Sequence, residues 1–219
     1  MTASLNSPPV NGDALILTFL GGDTSANPYV SSITWTGVTW TMQAHLYDNN
    51  NINAQIWLGV VGASAASSGT LNLTNGSGGH GFEIVNVQEW FGIVTTGFLD
   101  QTQTNESTTA ESSGLTTGTT SQTTQTYELV IACFSTVATA GAQTLSGPSS
   151  GYTLVDGVGV QFYTYSDYLA NGLAYYVATA EAQMSCSVSS NEPVTWCNCI
   201  ATFKAASGVP ATFVRHWLW

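Results

Sequence analysis

Val38-Thr39-Trp40-Thr41-Met42-Gln43-Ala44-His45-Leu46 alternates without a break, with Val38, Trp40, Met42, Ala44 and Leu46 on one side. A period of two marks a β-strand with one face on a core. Tyr176, Ala178, Ala180, Ala182, Met184, Cys186 and Val188 repeat the pattern, and their neighbours Thr179, Glu181, Gln183, Ser185 and Ser187 are polar. Helical spacing is almost absent elsewhere. Short runs rich in Val, Ile, Thr, Trp and Tyr recur between Gly, Asn, Ser and Pro breaks. The chain therefore reads as all-β, built of half-buried antiparallel strands. Trp40, Met42, Leu46, Leu129, Ile131, Met184, Cys186 and Phe203 are expected together in one sandwich core.

Composition narrows the function. The 219 residues are 43% hydrophobic and 11% aromatic, ample for a core, yet only 7% are charged, against about 25% in ordinary soluble domains. Lys204 and Arg215 are the only bases against thirteen acids, for a net charge of −11. Such a chain cannot neutralise a run of phosphates, which argues against nucleic acid and against anionic lipid as partners. Ser, Thr, Asn, Gln and Gly must cover the surface instead. That suits fibres, adhesins and virion shells, where subunits lie permanently against one another. No run of eighteen apolar residues is present, so no membrane-inserted helix is expected. Residues 1–12, read as an N-terminal arm, carry neither the basic nor the apolar region of a secretory signal.

The chain divides into two similar halves, 13–100 and 127–206. Ala14-Leu15-Ile16-Leu17-Thr18-Phe19 opens the first, and Glu128-Leu129-Val130-Ile131-Ala132-Cys133-Phe134 the second. Asn53-Ala54-Gln55-Ile56-Trp57-Leu58 corresponds to Asn171-Gly172-Leu173-Ala174-Tyr175-Tyr176, and Glu89-Trp90-Phe91-Gly92-Ile93-Val94 to the strand from Trp196 to Phe203. Between the halves lies 101–126, in which fifteen of twenty-six residues are Ser or Thr. It reads as a solvated linker, or alternatively as a surface ribbon at a sheet edge. Together 13–206 make one jelly-roll-like antiparallel β-sandwich of two similar halves, followed by an extra apolar tail, 207–219.

Opening aliphatic strand, Gly151-Tyr152-Thr153-Leu154-Val155-Asp156-Gly157 turn, Thr-rich middle and closing Ile200-Ala201-Thr202-Phe203-Lys204 follow in order. Over 13–206 this resembles a family of jelly-roll-like β-sandwich proteins, bacterial surface and phage-encoded, some similar to subunits of helical extracellular fibrils. The resemblance implies the fold and a structural role at the cell surface. It supplies no catalytic residues.

The chemistry-bearing residues are few. If 184–201 forms a hairpin whose paired residue numbers sum to about 383, Cys186 faces Cys197, and Cys197, Cys199, Ala201 and Phe203 point inward. Free buried thiols are the first reading of Cys133, Cys186, Cys197 and Cys199, a Cys186–Cys197 disulfide the second, and zinc ligation the third. Trp196 then faces outward, as a sugar-stacking platform or a surface covered by another strand or subunit. Asn72, Asn75 and Asn105 stand in Asn-x-Ser/Thr sequons and are candidate glycan carriers. His45, His80 and His216 share no metal spacing. Asp48-Asn49-Asn50-Asn51-Ile52-Asn53 lacks the Gly and terminal acid of a calcium loop. No residue pair is nominated for catalysis, and no cofactor is expected.

The tail from Gly208 to Trp219 is apolar on both faces and has no evident counterpart in the first half. Phe213, Val214, Trp217, Leu218 and Trp219, with Trp196, are the candidate subunit contacts. Entry of the tail into a neighbour is favoured over docking on its own sandwich, which would join copies head to tail. The expected function is that of a structural subunit self-assembling into an extracellular helical fibril. A phage virion surface protein and a carbohydrate-binding module are the alternatives.

Overall fold

The computed structural model describes residues 2–4, 8–22, 29–47, 52–65, 70–76, 82–139, 141–156, 160–162, 167–206 and 210–218. Among the described residues every regular element is a strand, and no helix is long and apolar enough to cross a membrane. The first half contributes β1 (Thr2–Ser4), β2 (Ala14–Gly22), β3 (Val30–Thr34), β4 (Val38–Tyr47), β5 (Ile52–Val61), β6 (Thr70–Asn75) and β7 (Phe82–Phe91). The middle segment supplies β8 (Leu99–Glu111) and β9 (Leu115–Thr116). The second half holds β10 (Glu128–Ala138), β11 (Leu145–Ser146), β12 (Thr153–Asp156), β13 (Val160–Phe162), β14 (Asp167–Ala178), β15 (Ser187–Ser190) and β16 (Val194–Lys204). The tail is β17 (Thr212–Leu218).

Pairing within each half is nested: β4 with β5, β3 with β6 and β2 with β7, then β12 with β14, β11 with β15 and β10 with β16. Nested antiparallel pairs are the winding of a jelly roll. The two large sheets run β17-β7-β2-β5-β4 and β8-β16-β10-β14-β12, and the small ones β1-β6-β3 and β9-β15-β11. Read in matching direction, the two halves have one strand order. The tail does have a counterpart, and it is β8. Each follows the last strand of one half and pairs with the last strand of the other, β8 on β16 and β17 on β7. The halves therefore exchange strands reciprocally.

Among the described residues four sheets stack as small, large, large, small, with three apolar cores between them. The central core joins Ile16, Ile56 and Trp90 of one large sheet to Leu129, Ile131 and Phe203 of the other. Leu17, Phe19, Trp35 and Leu71 fill one outer core, and Phe134, Met184, Cys186 and Trp196 fill the other. The single core expected from the sequence is thus three. Covering both faces of each large sheet makes its central strands apolar throughout rather than alternating, and every residue of β2 is buried.

The alternation in β4 is real, but its phase changes. Met42 pairs with Trp57 and Ala44 with Ile56, so Gln43 is the extra residue of a bulge. Val38 and Trp40 pack on the outer core while Ala44 and Leu46 reach the central one. Met42, at the turnover, is 43% exposed. Gly59 lies opposite Trp40, and a Cβ there would come within 2.9 Å of the indole. The second alternating stretch is not one strand either: β14 ends at Ala178, Ala180 and Ala182 are exposed, and Met184, Cys186 and Val188 are buried.

What replaces a strand over 182–186 is a threonine ladder. The N–H groups of Thr117, Thr120 and Thr123 donate to the carbonyls of Cys186, Met184 and Ala182 at 2.9–3.0 Å. Their hydroxyls accept the N–H groups of the same three residues at 3.1, 2.9 and 3.1 Å. Each threonine thus satisfies a donor and an acceptor of the partner backbone, and all three are buried. This excludes the solvated linker and leaves the ribbon at a sheet edge.

Leu129→Ala or Phe203→Ala should destabilise by about 2–5 kcal/mol in denaturant titration, since both side chains are fully buried in the central core. Thr120→Val removes the acceptor for the Met184 N–H and should cost about 1–3 kcal/mol by the same assay.

Candidate assembly site at the exchanged strands

Two buried carboxyl pairs flank the exchanged strands. In the first half Asp13 and Glu89 are both buried. Glu89 accepts the Val10 N–H at 2.6 Å, and the guanidinium of Arg215 on β17 lies 2.6 Å from its Oε2. Burial, with Glu89 beside it, pushes the Asp13 carboxyl up to about 6, and Arg215 opposes the rise. In the second half Glu128 opens β10 and Asp100 lies in β8. The Lys204 ammonium sits 3.5 Å from Asp100 Oδ1, whose carboxylate also accepts the Thr124 N–H at 2.7 Å and the Thr124 hydroxyl at 2.5 Å. Burial raises Glu128 to about 7, with Thr202 and Asp100 as polar neighbours. The two bases of the chain thus serve the two carboxyl pairs that flank the exchange.

The tail is tied to its own chain by further contacts. Phe213 meets Trp90 edge-on at 5.3 Å and stacks on Tyr175 at 6.0 Å. His216 Nε2–H donates to Asn86 Oδ1 at 3.1 Å. Asn86 in turn donates to Asn171 Oδ1 at 2.7 Å, which also accepts the Thr18 hydroxyl at 3.0 Å. This buried chain of amides links β17 and the first large sheet to the second.

Insertion of the tail into a neighbour is therefore corrected: β17 completes the first large sheet of its own chain, because β7 would otherwise be a bare edge beside Trp90. Phe213 and Val214 remain 38% and 39% exposed. Trp217 and Leu218 pair with Val87 and Asn86 through the backbone, and Trp219 lies outside the described residues. Trp196 is corrected too. It is 3% exposed, packed in the outer core, and its indole N–H donates to Glu111 Oε2 at 3.2 Å.

The 184–201 hairpin does not form, because β15 pairs with β11 and β9 while β16 takes β10 and β8. Cys186 and Cys197 consequently lie in different cores, and all four cysteines are buried with none in a disulfide. The strand-opposed pair is Cys133 with Cys199, and burial pushes the Cys199 thiol well up. Asn72 is exposed on β6, as its alternation suggests, although its Nδ2 donates to the Thr70 carbonyl at 3.2 Å. Asn75 is half-buried and donates to Glu83. Asn105 is half-buried on β8 opposite Asn198. The calcium-like residues 48–51 and His80 lie outside the described residues. Among the described residues no three His, Cys, Asp or Glu side chains gather as metal ligands.

The Thr117, Thr120, Thr123 spacing of three was the legible sign of the ladder. The carboxyl pairs had no such sign, since Glu128 and Asp100 are brought together only by the crossing of β8.

Removing 208–219 should destabilise the fold rather than leave an intact sandwich, because it strips β17 from β7 and leaves Asp13 and Glu89 without Arg215. A thermal melt of the truncated chain should show a lower midpoint than the full chain at neutral pH. No protein-family model, curated protein or solved structure matches the chain.

Proposed function

We propose that the protein is a structural subunit that assembles with copies of itself into an extracellular fibril, joined at sheet edges. The observation that carries this reading is β8. It is thirteen residues long and ends its sheet, and among the described residues no strand pairs with its far side. A long uncovered edge offers unpaired N–H and C=O groups to another strand, and monomeric proteins usually block it with Lys, Pro or a covering loop. The β8 sequence Leu-Asp-Gln-Thr-Gln-Thr-Asn-Glu-Ser-Thr-Thr-Ala-Glu has neither Lys nor Pro. Asp100 is engaged by Lys204 and Glu111 by Trp196, leaving Glu106 as its exposed acid.

Three further points favour the same reading. A surface with so few charged residues is tolerable where subunits lie against each other. Stacked sheets covered on both faces give a rigid building block. The likeness of 13–206 to fibril subunits points the same way. A carbohydrate-binding module of this fold would have to use an aromatic platform other than Trp196, which is buried.

Negative-stain microscopy of the purified chain should show fibres. Thr102→Lys with Thr108→Lys, both at exposed positions of β8, should leave a folded chain that no longer polymerises. Dispersed single particles from the unaltered protein would contradict assembly, and fibres from the lysine variant would place the contact elsewhere.

A further inference from the structure

Glu128 is wholly buried, and its carboxyl is only loosely partnered, by the Thr202 hydroxyl, which favours its charged form, and by the Asp100 carboxyl, which disfavours it. A buried carboxylate so weakly partnered is costly, whereas a protonated one carries its own donor. Its neighbour Asp100 can accept that proton, and is held in place by Thr124 from one side and Lys204 from the other. Thr202, on the same face, accepts the Gln101 N–H at 3.1 Å. Glu128, Lys204 and Thr202 come from β10 and β16, while Asp100 and Gln101 come from β8.

We propose that Glu128 and Asp100 form a proton-operated clasp that fastens the start of β8 to the second large sheet. With one proton between them, two carboxyls and one ammonium sum to zero. Without it, a net negative charge is trapped between β10 and β8, and the repulsion acts across the joint that holds β8. The charged groups facing Glu128 are Asp100 from β8 and Lys204 from β16.

The first half is wired oppositely. There both acids belong to the first half and the exchanged strand brings the cation, Arg215. Loss of the Asp13 proton adds to the attraction on β17 instead of repelling it. Rising pH therefore adds repulsion at β8 and attraction at β17. The clasp concerns how β8 is attached to its own chain and stands whether or not β8 joins copies.

The pH window follows from the direction of the shift. A carboxyl raised from 4.5 to about 7 keeps in the folded chain a proton that the opened state has released. Its stabilisation is complete below the opened-state value and lost as pH rises to the folded one. Hydrogen exchange, expressed as protection factors corrected for the intrinsic pH dependence, reads it directly. Between about pH 5 and pH 7.5 the amides from Leu99 to Gln103 should lose protection by about tenfold or more relative to those of β10. Glu128→Gln, which keeps shape and a donor, should remove that dependence. Unchanged protection at Leu99 to Gln103 in the unaltered protein would overturn the clasp. So would an equal loss in Glu128→Gln.

Discussion

Burial of both faces of the two large sheets is the constraint on which the rest depends. A sheet packed on one side can place charge on the other, but these sheets have an apolar layer on each side. Their strands must be apolar or neutral at nearly every position, and polar residues that remain inside are joined where they can be, as Thr18, Asn86 and Asn171 are. The low charge of the sequence follows in part from this. A buried ion needs a partner, and the two bases of the chain sit beside the buried carboxyl pairs where the halves exchange strands.

Reciprocal exchange also explains why a chain of two similar halves is one body. β8 leaves the first half for β16, and β17 leaves the second for β7. Neither large sheet is complete without a strand that the other half precedes. Arg215, His216 and Phe213 hold one crossing, and Asp100 holds the other. The crossing strands differ in character: β17 carries aromatic residues and is tied to both sheets, whereas β8 is polar and, among the described residues, bare along its far edge.

Much of the architecture was legible in the sequence. Strand alternation gave the class, and matching runs such as Asn53-Ala54-Gln55 and Asn171-Gly172-Leu173 fall on β5 and β14, which occupy matching places in their sheets. Three things were not legible, each for a physical reason. The bulge at Gln43 shifts β4 from one core to another without altering the hydrophobic period. Trp196 looked outward because a two-layer sandwich has an outward face, whereas here a third sheet covers it. The tail looked like a partner for another copy because its own partner, β7, lies more than a hundred residues earlier, and a two-faced apolar strand fits equally well on any open edge.

The central claim is that β17 lies on β7 of the same chain. Thr212 and Phe91 are directly opposed across that pair, so cysteines placed at both positions report which chain the tail occupies. Oxidised in assembled material and run on a denaturing non-reducing gel, Phe91→Cys with Thr212→Cys should give single chains closed by an internal disulfide. A ladder of covalent oligomers would show the tail seated on a neighbour and contradict the account.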